Sequence, residues 1–331
     1  VKLQSTHAKI LLNAVQTYLN VYTNQSVVSL RKRSLERFKE NVQATSLKLE
    51  AGTVTPTVLA EAQTKLAKAN YELILAKGDL NNAISQFKSI TKFKVIPNKL
   101  SLPVLNFKVP TIESQIVELA LKNNLSIIIS KFTKSLAEKN IQLNKTNNRP
   151  SLKVEFLLKD NQSSLANTTS DYQSYGANIT FSSPLFYNNS SKSSLKKLEK
   201  LSLASSLDLS EKYRMIELEA ISSFQNYKNS VAKTLASKTE KKSSLLALNG
   251  IQKEAEFGIR TVLDELDAEV EYLNASANLI KSEAEQIYYL LTIKDVLGKL
   301  SIKDINESYN DNFILKENKM NFKILDKKMF N

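Results

Sequence analysis

Asp264 and Asp267, one helical turn apart, carry the most suggestive chemistry in this 331-residue chain. They sit in FGIRTVLDELDAEVEYLNA, residues 257–275. A carboxylate pair can act as the acid and nucleophile of a glycosidase. Nothing around these two reads as a substrate cleft, however. His7 is the only histidine and there is no cysteine. A His-based catalytic pair, a zinc site and a disulfide framework are therefore not available, and no glycine-rich phosphate loop is present. Neither an enzyme nor a cofactor or metal is expected.

The second use of such carboxylates is local. Thr261 can serve as N-cap with Asp264 at the third helical position, a capping box, and carboxylates near a helix N-terminus are favoured by its dipole. The third use involves a longer pattern. From Asp264 and Asp267 the same face continues as Glu271, Asn274, Asn278, Lys281 and Glu285 in steps of three and four. Beside it runs an apolar stripe: Leu263, Leu266, Val270, Leu273, Ala277, Ile280, Ala284, Ile287 and Leu291. That rhythm predicts a helix packed as in a coiled coil. Its polar stripe then faces water, either outside an assembly or in a channel through it.

Long helices must position these residues. The whole chain has six glycines and six prolines, and neither occurs from Leu185 to Asn249. So few breakers predict long rods rather than many short elements. The net charge of +13 raises nucleic-acid binding as a function. The lysines are scattered among Asn, Ser and Ile without a recognised motif, so no nucleic acid is expected as a partner. No apolar run reaches the roughly 20 residues of a transmembrane helix, and no signal peptide is evident at residue 1.

An internal repeat organises the chain. Under a shift of 206 positions, the spacing from Gly52 to Gly258, Ala14, Tyr18 and Asn20 fall on Ala220, Phe224 and Asn226. Without a gap, Thr55, Ala62, Ala69 and Leu73 then fall on Thr261, Ala268, Ala275 and Leu279. Each unit reads as a long helix, a tight turn and a second long helix, with Gly52 and Gly258 supplying positive φ. In the first turn, AGTVTP, Thr55 is the expected N-cap and Pro56 the first helical residue. Leu59, Ala62, Leu66, Ala69, Leu73, Ala76, Leu80, Ala83, Phe87 and Ile90 then alternate large residues with alanine, which suits close helix packing. The long helix of the second unit, 189–256, would extend about 100 Å at 1.5 Å per residue.

Residues 1–93 are expected to hold the first hairpin, with its front part missing. Residues 94–149 form a proline-marked linker and shorter helices near 112–122 and 125–147. A strand pair occupies 150–184, where Leu152, Val154, Phe156 and Leu158 alternate with other residues, as do Ala177, Ile179 and Phe181. The second hairpin spans 185–303, and a loosely ordered tail 304–331.

With these motifs the chain resembles the TolC-like family of outer-membrane efflux and secretion channels, as an N-terminally truncated member. FGIRTVLDELDAEVEYLNA is similar to the family's Gly-x-Arg-Thr, Asp-x-x-Asp-Ala and Leu-x-Asn-Ala run. YGANITFSSPLFYNN resembles its strand ending in Pro-Leu-Phe, while ELALKNNLSIIISK and RPSLKVEF match the stretches around the strand pair. The resemblance implies a mainly α fold of two antiparallel coiled-coil hairpin repeats with a small β-strand pair, an α-barrel plus a partial β-barrel.

It also implies a homotrimer that reaches from outer-membrane lipid across the periplasm. There it would serve a tripartite efflux or type I secretion system as a passive exit duct for small molecules or proteins, with a periplasmic adaptor and an inner-membrane transporter as partners. The alternative is a degenerate coiled-coil fragment that forms no pore. Carried over, Asp264 and Asp267 form the pore constriction, Arg260 and Thr57 entrance links, and Gly52 and Gly258 the tip turns. The family's latching tyrosine falls at Ala255 and its acidic partner at Val58, so a weakened latch is expected.

Overall fold

The computed structural model describes residues 1–93, 100–103, 105, 107–146, 149–161, 172–183 and 189–301. The Pro-Leu-Phe run at 184–186, Pro97 and the tail from 304 lie outside the described residues. The element order is α1 (Lys2–Glu50), α2 (Pro56–Thr91), α3 (Glu113–Asn123), α4 (Leu125–Thr146), β1 (Ser151–Asn161), β2 (Tyr172–Ser182), α5 (Asn189–Glu256) and α6 (Val262–Val296). The chain is thus mainly α with one antiparallel strand pair, as the sequence periods predict.

The chain divides into two units. The first holds Val1–Leu125 and the described residues from Met215 onward; the second is Ser126–Arg214. In the first, α1, α2 and α6 share one core. Val28, Leu35 and Phe38 of α1 meet Ala62, Ala69, Leu73 and Ala76 of α2 and Leu266 of α6. The small α2 side chains let the helix axes approach closely, which is why the alanine alternation is buried rather than solvated. Farther along, Val15 and Leu19 pack with Ala284 and Leu291. The end of α6 is fastened by a buried hydrogen bond, Asn124 Nδ2 to the Val296 carbonyl at 2.9 Å. Gly298 follows at φ +65°.

In the second unit α4 lies antiparallel to the first part of α5. Lys131 stacks over the Tyr213 ring at 5.6 Å, and Asn144 reaches Ser194 at 3.5 Å. β1 pairs with β2 from Ser151↔Ser182 to Asn161↔Tyr172. The register sets Leu152, Val154, Phe156 and Leu158 opposite Phe181, Ile179, Ala177 and Tyr175. Side chains alternate across a strand, so these eight share one face. All eight are exposed, Phe156 and Leu158 each at 83%. The other face carries Lys153 and Glu155, which pair with each other, opposite Thr180 and Asn178.

Candidate functional site

The two helical turns are built alike. The Gly52 N–H donates to the Leu49 carbonyl and the Thr53 N–H to the Lys48 carbonyl, both at 2.9 Å. Shifted by 206 positions, the Gly258 N–H donates to the Ala255 carbonyl at 3.0 Å and the Ile259 N–H to the Glu254 carbonyl at 2.9 Å. Each is a helix C-terminus closed by a left-handed residue, with Gly52 at φ +71° and Gly258 at φ +74°. The two turns therefore correspond bond for bond under the 206-position shift.

The helices leaving the turns begin differently. Asp264 N–H donates to Thr261 Oγ1 at 3.1 Å, and Thr261 N–H returns a bond to Asp264 Oδ2 at 2.9 Å. This is the expected capping box. The Thr261 N–H, joined by the Thr261 hydroxyl donating to the same Oδ2 at 2.9 Å, holds the Asp264 carboxyl below its usual range. Thr55 occupies the corresponding N-cap, but its side chain makes no capping bond. The reciprocal carboxylate is missing there because Val58 stands in its place.

Asp267 is exposed, and its carboxylate accepts from the Lys65 ammonium of α2. Glu271, Asn274, Asn278 and Lys281 are exposed along the same face. The stripe is therefore solvated, but it also reaches neighbouring helices. Asn274 accepts from Arg31 at 3.5 Å, Asn278 donates to Glu240 at 3.4 Å, and Glu285 pairs with Lys233 at 2.7 Å. Arg260 Nε donates to Glu254 Oε2 at 2.9 Å within its own turn, and Glu254 holds that guanidinium still more firmly protonated. Within the single chain Arg260 is thus engaged with Glu254, and Thr57 lies exposed.

Sequence reasoning passed over Glu269. It lies on the buried side of α6, 7% exposed, between Leu266 and Leu273. Its carboxylate pairs with Arg37 of α1 at 2.5 Å. A cavity of about 400 Å³ adjoins the pair, lined in addition by Asn41, Gln252 and Glu265. The available signal was a glutamate three residues after Leu266 and four before Leu273, beside Val270 on the edge of the apolar stripe. α6 is consequently tied to α1 through Arg37 and to α2 through Lys65.

Helical hairpins with matching turns, joined in one chain to a β-ribbon with an exposed apolar face, define the class: a mainly helical hairpin protein carrying a small antiparallel sheet. Residues 116–299 match the outer membrane efflux protein family, and the chain belongs to it. Its localisation is the outer membrane. Among its relatives is the outer membrane protein TolC of Escherichia coli K12, 25% identical over 315 residues. That match takes in 91% of this chain and 64% of the relative, so the chain spans just under two thirds of that protein's length. The outer membrane efflux protein BepC of Brucella suis is 19% identical, over 90% of this chain and 65% of its own.

Solved structures share the fold. CusC superposes with a TM-score of 0.72 at 16% identity, covering 89% of this chain and 69% of that one. The Campylobacter jejuni CmeC outer membrane channel gives 0.69 at 18%, covering 92% and 67%.

Proposed function

We propose that the chain is a wall component of an outer-membrane efflux duct. Three copies assemble, their hairpins forming a tunnel across the periplasm and their β-ribbons joining a barrel in the membrane. The observation that carries this reading is the β-ribbon within a family member. Leu152, Val154, Phe156, Leu158, Tyr175, Ala177, Ile179 and Phe181 share one exposed face, while the opposite face, Leu157 and Gly176 apart, carries polar residues such as Lys153, Glu155, Asn178 and Thr180. That division suits a strand with lipid on one side and a water-filled lumen on the other.

In this duct Asp264 and Asp267 line the constriction, and carboxylate rings bias a narrow pore towards cations. Gly52 and Gly258 shape the tip, which meets a periplasmic adaptor and an inner-membrane transporter in a tripartite efflux or type I secretion system. Arg260 and Thr57 link neighbouring hairpins at the entrance. The role is that of a passive conduit rather than an enzyme.

The test is expression behind a periplasmic signal, followed by crosslinking and membrane fractionation. Heat-resistant trimers in the outer membrane are expected. Recovery of soluble monomer alone overturns the duct and leaves the pore-less coiled coil.

A further inference from the structure

The positive charge of the second unit is gathered at one end. Its two antiparallel helices, α4 and the first part of α5, meet beside the base of the β-ribbon. Asn144 reaches Ser194 there, and Arg149 stands two residues before Ser151, where β1 begins. Residues 145–149 and 192–200, which form this end, carry Lys145, Arg149, Lys192, Lys196, Lys197 and Lys200 against one carboxylate, Glu199. The remainder of the same helix pair, 126–144 and 201–214, holds five cations and three carboxylates over more than twice the length. The six cations at the ribbon end are all exposed, and among the described residues none forms an ion pair.

An independent observation fixes what lies next to this charge. β1 and β2 have 11 residues each, and a membrane-crossing strand needs roughly 9–11. The ribbon therefore has no length to spare. With its apolar face in lipid, its base at Ser151 and Ser182 comes to the level of the headgroups. Leu152 and Phe181, paired beside that base, are 67% and 68% exposed, so apolar surface begins three residues from Arg149. Along α5, Lys192 to Lys200 covers about 12 Å. That distance spans the headgroup layer and the roughly 8–10 Å over which a charged surface acts in salt. An apolar face with a basic rim at one end is complementary to a bilayer whose surface is anionic. A nucleic acid would match the rim alone and leave the apolar face uncovered.

We propose that this end of α4 and α5 is a collar for the anionic phospholipid headgroups of the leaflet that faces the helices. The inference rests on the reading of the ribbon as a membrane strand pair. Each lysine held near an anionic membrane surface strengthens binding about fivefold. The collar would set both the depth of the ribbon and the lipids around it.

Flotation of the full chain with preformed vesicles tests it, using phosphatidylcholine alone or mixed with phosphatidylglycerol, at low and high salt. A preference for the anionic vesicles is expected, and it should shrink as salt rises. Lys192→Gln, Lys196→Gln, Lys197→Gln and Lys200→Gln combined should weaken binding to anionic vesicles about tenfold or more, with binding to neutral vesicles unchanged. Arginine at the same four positions should keep the preference. Lys68→Gln, Lys77→Gln, Lys228→Gln and Lys242→Gln combined remove equal charge from exposed positions of the first unit, and should leave the preference intact. Equal binding to both vesicle types, or an equal loss in the two glutamine variants, overturns the collar while the membrane reading of the ribbon stands. Binding to neither vesicle type overturns that reading and the collar with it.

Discussion

Lys65 of α2 reaches across to Asp267 of α6, while Asp264, one turn earlier, is bound into the Thr261 capping box. The two carboxylates of the expected constriction are therefore electrostatically unequal. Asp264 is held ionised by the Thr261 bonds, with Arg260 of the same turn acting on it from beyond contact and no ion pair to another helix among the described residues, whereas Asp267 has a cation at contact distance.

In the assembled duct this inequality predicts selectivity. Asp264→Asn should lower the preference for cations more than Asp267→Asn does, and Lys65→Gln should raise it severalfold. Reversal potentials in planar bilayers under a salt gradient measure both effects. Low ionic strength should enlarge them, because screening at 0.1 M acts over about 10 Å. Equal effects of the two Asp substitutions would show that Lys65 leaves Asp267 uncompensated.

The Arg37–Glu269 pair should contribute to stability and to closure of the turn region. Arg37→Ala strands a buried carboxylate, which in a fully buried pair costs about 3–5 kcal/mol. Because the Arg37 side chain is 54% exposed, a smaller loss of about 1–2 kcal/mol is expected by chemical denaturation. The double substitution Arg37→Met with Glu269→Met should recover most of that loss, since it removes the stranded charge along with its partner.

The glycines divide into two classes. A Cβ on Gly298 would sit 2.4 Å from the Asn123 carbonyl oxygen, whereas one on Gly52 or Gly258 would meet nothing within 4 Å. Gly258→Ala should cost about 1 kcal/mol for left-handed backbone alone. Gly298→Ala adds a clash with main chain that cannot rotate away, and should lose about 3 kcal/mol or more. Thermal melts of the two variants give the comparison directly.

Acid sensitivity should reside partly in the cap. The folded-state pKa of Asp264 is depressed from 3.8. Its stabilisation is thus fully present above the unfolded value and is lost as pH falls through the folded one. Thr261→Ala should cost about 1 kcal/mol at neutral pH, with the difference from wild type shrinking below pH 3.8. Asp295 behaves oppositely. Burial, then the nearby Glu219, raises its pKa, so its ionisation disfavours the fold as pH climbs above the unfolded value. Asp295→Asn should therefore stabilise the chain at pH 7, with no gain in strong acid. Denaturation midpoints across a pH series would resolve both trends.

Much of this architecture was legible in the residues. Glycine spacing located both turns, because positive φ is a local demand that few other residues meet. The Thr261–Asp264 box was readable from a three-residue spacing, and the strand pair from alternation between Leu152 and Leu158. The rods followed from the absence of breakers. Each of these signals depends on neighbours within a few positions, so one chain segment determines it. The partners of Asp267 and Glu269 are of another kind. Lys65 and Arg37 lie 202 and 232 positions away. Which of the many lysines and arginines meets them depends on the rotation and axial register of α1 and α2 against α6. Heptad periodicity specifies that an apolar face will be covered; only the packed helices decide which charges the covering brings into contact.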